Sequence, residues 1–473
     1  MTSAQDAIEY LEYILQKWKK ISNNDSVLYS TYSPNNVIER CDIYDNSLLA
    51  NCLICLSDTP HPIAVSILNF FAGTYQYFVD NNEQKSLISA AYTSNNGNFT
   101  TCYDFSCTVQ DIGNNAMAGI ALTKFCIKYP THKNTPKYLD TLVYLVKSIN
   151  ELKCETKVIN QYEQGKPVIG YRGRVNNSYV STEHMIDLYA LTNMMGNLTM
   201  STTLKNMVDD MKQNSKIFVV NMYKNSVYAI GCKEGCGDLN EGTAQPVDTI
   251  TWNMLAGVDN NKKRKKDSLT IAASSRFSIP FSNNVIGGIK FSENSNCAQY
   301  ENTGAFLCAL SEYKYIFNEE IKSDTSKDMI DFIQTKINKK EPFQSAYGKF
   351  NNNLCQTGLG WGYFTTPHLA STIYCLMANI AQKDPTINIY RYYGNHSGKE
   401  NCAKEGENVN DSSKFDNYPV KCCNGKNPLN QDNKMICPLD DNLIPKKNKT
   451  IFYIILGSVA LITLCIFLYS VWS

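Results

Sequence analysis

The feature that most constrains this chain is a pattern that recurs six times along it. A Gly- and Asn-rich loop ends in an acid or a histidine, an apolar helix follows, and a more polar helix comes after that. The helix starts are Tyr44-Asp45, Asp111-Ile112-Gly113-Asn114-Asn115, Ser181-Thr182-Glu183-His184, Val247-Asp248, Tyr300-Glu301 and Pro367-His368, at intervals of roughly 50 to 75 residues. The repeats are too divergent for a solenoid. Six helical hairpins can instead close into a ring with the apolar helices inside. Their polar starts then face one shared funnel.

The third start is the most informative. Ser181 or Thr182 can cap the helix, and Glu183 falls in its first turn, where a carboxylate suits the helix dipole. Glu183 and Asp187 stand four apart and project from one face, with Cβ atoms roughly 5–6 Å apart. Met185, Ile186, Leu188, Tyr189 and Ala190 supply the apolar flanks. Partner helices are expected over 63–79, 138–152, 200–213 and 327–337. The β-branched and aromatic stretch 217–230 reads as a small hairpin around Lys224-Asn225. The basic run Lys262 to Lys266 reads as a solvated turn.

Residues 1–30 form a segment of their own, an amphipathic helix capped by Ser3 with Ile8, Leu11, Ile14, Leu15 and Trp18 on one face. The first 20 residues have no apolar core of the kind a signal peptide needs. The ring occupies 31–392, a Cys-, Asn- and Lys-rich stalk 393–445, and a C-terminal anchor 446–473. Within the anchor, 450–473 is apolar and uncharged, about the length that spans a bilayer. Lys446, Lys447 and Lys449 precede it, which places the large domain in the cytosol by the positive-inside rule, with a virion membrane as the alternative. The expected fold class is therefore all-α, a ring with small β-hairpin insertions plus one transmembrane helix.

The chain of 473 residues has a net charge of +1, so no global field argues for nucleic acid. Its 18 cysteines are many for the cytosol. Cys102 with Cys107, and Cys232 with Cys236, lie in loops and are open to disulfide or metal chemistry. Zinc-type spacing is incomplete, and disulfides conflict with a cytosolic domain. A large DNA virus with its own oxidising machinery would reconcile the two. No motif for a serine nucleophile elbow, a zinc protease or a phosphate-binding loop is present. No metal and no cofactor is expected.

Taken together, Tyr44-Asp45, Gly113-Asn114-Asn115-Ala116, Thr182-Glu183-His184 with Asp187, Asp248 with Trp252, Glu301 with Thr303, and Pro367-His368-Leu369-Ala370-Ser371-Thr372 resemble the six-hairpin glycosidase-like proteins. That resemblance implies an (α/α)6 toroid and inverting acid–base hydrolysis of an oligosaccharide. It departs from the pattern at Ser47, Met117 and Asn302-Thr303-Gly304. Glycoside hydrolysis needs two carboxyl groups about 6.5–9.5 Å apart for inversion or about 5–5.5 Å for retention. One helix face does not easily flank a bond, so acids from separate hairpins make the better pair. Glu183 is expected as general acid, with Glu301 or Asp248 as base. Asp45, Tyr171, Arg172, Asp187, Trp252, Trp361 and His368 are expected to bind substrate. The partners are then a glycan and, through the C-terminal helix, a lipid bilayer. The alternative is a non-catalytic carbohydrate- or protein-binding component of a membrane or viral envelope.

Overall fold

A computed structural model describes residues 3–392, apart from 34–39, 82–85, 96–97, 103–104, 164, 178, 241–243 and 349–353. The expected stalk and transmembrane helix lie outside the described residues. No described helix is long and apolar enough to cross a membrane.

Thirteen helices are described: α1 (Ala4–Gln16), α2 (Ile43–Leu56), α3 (Pro62–Asp80), α4 (Phe105–Thr108), α5 (Ile112–Lys128), α6 (Thr135–Asn150), α7 (Thr182–Met195), α8 (Thr202–Asn221), α9 (Asp248–Ala256), α10 (Lys262–Ala273), α11 (Tyr300–Phe317), α12 (Ser326–Asn338) and α13 (Leu369–Ala381). Helices α2, α5, α7, α9, α11 and α13 each pack on the next, and α13 returns to α2, which closes an inner ring. Helices α3, α6, α8, α10 and α12 form the outer layer. The last inner helix, α13, also packs against α1, which touches α2 as well. The N-terminal helix thus takes the outer place of the sixth pair.

Sequence decides which layer each helix joins. In α5 the run from Ala116 to Ile127 is buried on every face, as a helix surrounded by other helices requires. Outer helices carry one apolar stripe. In α12 it is Met329, Ile333 and Ile337, each four residues from the last. Small residues let the inner helices approach closely. A Cβ on Gly304 of α11 would stand 2.5 Å from the carbonyl carbon of Tyr374 in α13.

Short antiparallel pairs decorate the ring. Tyr223–Lys224 pairs with Val227–Tyr228, and Asn225 and Ser226 carry the positive φ of 52° and 65° that such a tight turn needs. The expected hairpin is there, but residues 217–221 belong to the end of α8. The basic run is a helix, not a solvated turn: it opens α10, capped by Asn261, whose side chain accepts from the Arg264 amide at 3.0 Å. Counter-charges make that helix tolerable. Lys262 and Lys266 both pair with Glu319, and Arg264 pairs with Asp259. Disulfides join Cys102 to Cys107, Cys154 to Cys236 and Cys297 to Cys355. Cys232, considered as a partner of Cys236, is a buried free thiol.

Candidate active site

Each inner helix starts with a side-chain cap, or with an acid in its first turn, on the same rim of the ring. Asp111 accepts from the Asn114 amide at 2.8 Å and caps α5. Ser181 caps α7. Gln299 accepts from the Asn302 amide at 2.6 Å at the head of α11. The ring Nδ1 of His368 accepts from the Ser371 amide at 3.3 Å and caps α13. Because Ser181 and Gln299 do the capping of α7 and α11, Glu183 and Glu301 beside them are not needed as caps. Glu183, Asp248 and Glu301 lie in the first turn of their helices, and Asp45 and Asp187 within the first two turns.

The acids converge. Glu183 is half-buried, and its carboxyl is held well above the usual carboxylate range. Burial is the main cause, followed by the charges of Asp248, Asp187, Glu301 and Asp111. Asp248 is 2 % exposed and Glu301 7 %. Burial pushes each of them up to about 7, for Asp248 against a stabilising backbone hydrogen bond from Thr249. Glu183, Asp248, Glu301 and Asp111 come from separate hairpins, and Glu183 feels the charge of each of the others. Such reach requires the four carboxyls to stand near one another, as scattered caps would not.

Glu301 is held on both oxygens. The Tyr44 hydroxyl donates to Oε1 at 2.7 Å, and Gln299 Nε2 donates to Oε2 at 3.3 Å. Tyr44 stacks on Trp252 with centroids 5.8 Å apart. Asp248 is different: its Oδ1 is buried without a hydrogen-bond partner, as is Oδ1 of Asp187. His368 Nε2 lies 3.6 Å from Asp45 Oδ2, and burial lowers the imidazole to about 4. The pair is therefore a neutral histidine beside a carboxyl that burial raises well above its ordinary value.

A hairpin of Leu354–Gln356 and Gly362–Phe364 reaches over this collar, tied by Cys297–Cys355 to the strand that leads into α11. Its Tyr363 feels the charges of Glu301, Asp248 and Glu183. Trp361 packs on Phe291 and on Tyr363, each at 5.0 Å, yet stays 46 % exposed.

Asp45, Glu183, Asp187, Asp248, Glu301 and His368 are thus brought together, with Trp252 buried among them and Trp361 at the rim. Tyr171 and Arg172 are not part of the collar. Tyr171 is fully buried, where its hydroxyl accepts from Asn214 of outer helix α8 at 3.4 Å. Arg172 donates to the Glu151 carbonyl at 3.3 Å at the end of α6. The strand Pro167–Tyr171 pairs with Lys153–Ile159 and so stays on the outer layer. Arg174, two residues further on, stands over the Tyr179 ring at 5.6 Å, beside His184. Tyr44 and His184 stand in the helix-start motifs of the sequence without an assigned role, and Tyr363 is not singled out there; all three lie by the acids. The packing of His184 is tight: a Cβ on Gly113 of α5 would lie 2.6 Å from its ring. Tyr44 and His184 are visible as motif residues, but which acids on other helices they meet leaves no sequence signal. Among the described residues no group of three or more His, Cys, Asp and Glu is placed to hold a metal ion.

A closed double ring of helices with its polar collar at one rim defines an (α/α)6 toroid. No family model and no curated protein matches the chain. Solved structures of glycosidases share its fold. A wild-type glycosidase superposes with a TM-score of 0.53 at 9 % identity, covering 80 % of this chain and 96 % of that one. A glycosidase variant in complex with glucose gives 0.52 at 9 % identity, with the same coverage of 80 % and 96 %. A cold-adapted family 8 xylanase gives 0.51 at 12 % identity, covering 82 % and 93 %. At such identities the likeness is one of fold.

Proposed function

We propose that this protein is a glycoside hydrolase of the inverting type, with Glu183 as general acid and Glu301 as the base that activates water. The observation that carries the reading is that Glu183, Asp248 and Glu301, from the starts of α7, α9 and α11, stand within electrostatic reach of one another. Helix α9 packs between α7 and α11 in the inner ring, so Asp248 comes from the helix between those of Glu183 and Glu301. An inverting mechanism requires the two carboxyls to stand about 6.5–9.5 Å apart, leaving room for a water. Glu183 keeps its proton because it is desolvated and surrounded by other acids, and a general acid needs that proton. Glu301 is fixed in orientation by Tyr44 and Gln299 and titrates near neutrality, where a general base works best. Asp248 sustains the proton on Glu183. Asp45, Asp187 and His368 accept from or donate to sugar hydroxyls. Trp361 offers an exposed ring face for a sugar at the rim.

The three disulfides belong to the chemistry of an oxidising compartment. They weigh against the cytosolic side read from the lysines before the apolar tail. We infer a domain that works outside the cytosol, tethered through 450–473.

A hydrolysis screen over oligosaccharides, followed by nuclear magnetic resonance of the first-formed anomer, tests the reading. Inversion that disappears in Glu183→Gln and Glu301→Gln is the expected result. Glycan binding without turnover in the parent chain would replace it with a non-catalytic lectin-like role.

A further inference from the structure

Of the free cysteines among the described residues, Cys55 alone is not buried. It sits in the last turn of α2, where its thiol meets α5. Lys124 of α5 is 1 % exposed, and its Nζ donates to Cys55 Sγ at 3.3 Å. The same nitrogen donates to the carbonyls of Asn388 at 2.7 Å and Ile389 at 2.9 Å, in the segment after α13. The Cys55 thiol donates to the Asn388 carbonyl as well, at 3.7 Å. One turn further along α5, Lys128 donates to the carbonyls of Ile54 at 2.8 Å and Cys55 at 3.2 Å, which holds the end of α2 against α5.

Reacting atoms held about 3–3.5 Å apart start close to the geometry of bond formation. Here both sides of the contact are fixed. The sulfur belongs to a partly exposed residue that a small oxidant can reach, and thiol oxidation follows exposure. The amine is dry, and burial draws its ammonium below the ordinary lysine value. Cys52, one turn earlier in α2, directs its own thiol to Met377 Sδ of α13 at 3.4 Å.

We propose that Cys55 and Lys124 form an oxidative cross-link site, at which a peroxide couples the thiol to the amine as a sulfenamide. The peroxide first transfers one oxygen to the thiol, which becomes a sulfenic acid while the peroxide is reduced to water. Lys124, having released its ammonium proton to solvent, attacks the oxidised sulfur with its lone pair. The S–N bond forms, the S–OH bond breaks, and the hydroxide leaves with one amine proton as water. The linked pair is two hydrogens lighter than the free thiol and amine. The bond joins α2 to α5, which are neighbours in the inner ring. The one remaining N–H can serve only one of the two carbonyls that Lys124 serves now, so the segment after α13 gives up a hydrogen bond.

The test treats the full folded chain with hydrogen peroxide, blocks the remaining thiols by alkylation, and maps tryptic peptides without reductant. The peptide holding Cys55 should be joined to the one holding Lys124, about 2 Da below their summed mass, with no cleavage after Lys124. Dithiothreitol should separate the two. Cys55→Ser and Lys124→Arg should each abolish the link, and Cys52→Ser should leave it intact. A Cys52–Cys55 disulfide in its place, or a Cys55 that proceeds to sulfinic or sulfonic acid with Lys124 free, overturns the proposal. Arginine keeps N–H donors for the two carbonyls. Should Lys124→Arg still not fold, fragmentation of the parent's linked peptide decides alone, and a bond from Cys55 to any residue other than Lys124 overturns it.

Discussion

Replacing Glu301 by Gln should make the protein more stable and inactive at once. Glu301 titrates at about 7 in the folded chain, against an ordinary 4.5. Between those values the folded state holds a proton that the unfolded state has released. The stability tied to neutral Glu301 is thus fully present below about pH 4.5 and is lost as pH rises through 7. Each pH unit between the two values corresponds to about 1.4 kcal/mol, so ionised Glu301 costs up to about 3 kcal/mol at pH 8.5. Gln carries no charge to desolvate. Its carbonyl oxygen can still accept from the Tyr44 hydroxyl, which now donates at 2.7 Å. Glu301→Gln should therefore match the parent at pH 4 and gain up to about 3 kcal/mol at pH 8.5. For a domain of this size that is about 4 °C in Tm. Circular-dichroism melts at the two pH values read it directly, and the same samples should show no turnover. A Tm difference that is equal at both pH values, or a loss at pH 8.5, would refute the picture of Glu301 as a desolvated acid poised for proton transfer.

Three further outcomes are expected. Gly304→Ala should destabilise the fold by about 2 kcal/mol, because its Cβ would stand 2.5 Å from the Tyr374 backbone and force α11 from α13; unchanged denaturant midpoints would deny that contact. Trp361→Ala should raise KM about tenfold with Tm unchanged, since the ring is 46 % exposed and supports no core; an unchanged KM would remove it from the substrate path. Peptide mapping without reductant should recover Cys102–Cys107, Cys154–Cys236 and Cys297–Cys355 as linked pairs and Cys232 as a free thiol; recovery of a Cys232–Cys236 link would contradict the ring's present strand pairing.

The layering of the ring was legible because it follows from local composition. A helix such as α5, apolar on all sides, has nowhere to go but inside, and a helix such as α12, with one stripe, belongs on the outer surface. The acids at helix starts were legible for a related reason: their position within a turn of a cap is a property of the segment itself. The basic run of α10 misled because charge reads as solvation until its partners are known. Glu319 lies 53 residues from Lys266 and is seen as its partner only once the chain has folded.

What only the tertiary structure decided is which side chains meet. Tyr171 and Arg172 sit in the same loop as Arg174, and nothing local tells that the strand ending at Tyr171 turns outward to α8 while Arg174 reaches the histidine of α7. Tyr44 and Glu301 are 257 residues apart and form one hydrogen bond. Tyr390, in a stretch that carries no motif, is buried with its ring 6.0 Å from that of Trp252. The sequence by itself determined the helices, their faces and the polar residue at each start, because these depend on interactions within a few turns. The closing of the ring determined the chemistry, because a carboxyl's proton affinity depends on burial and on the charges that other helices bring beside it.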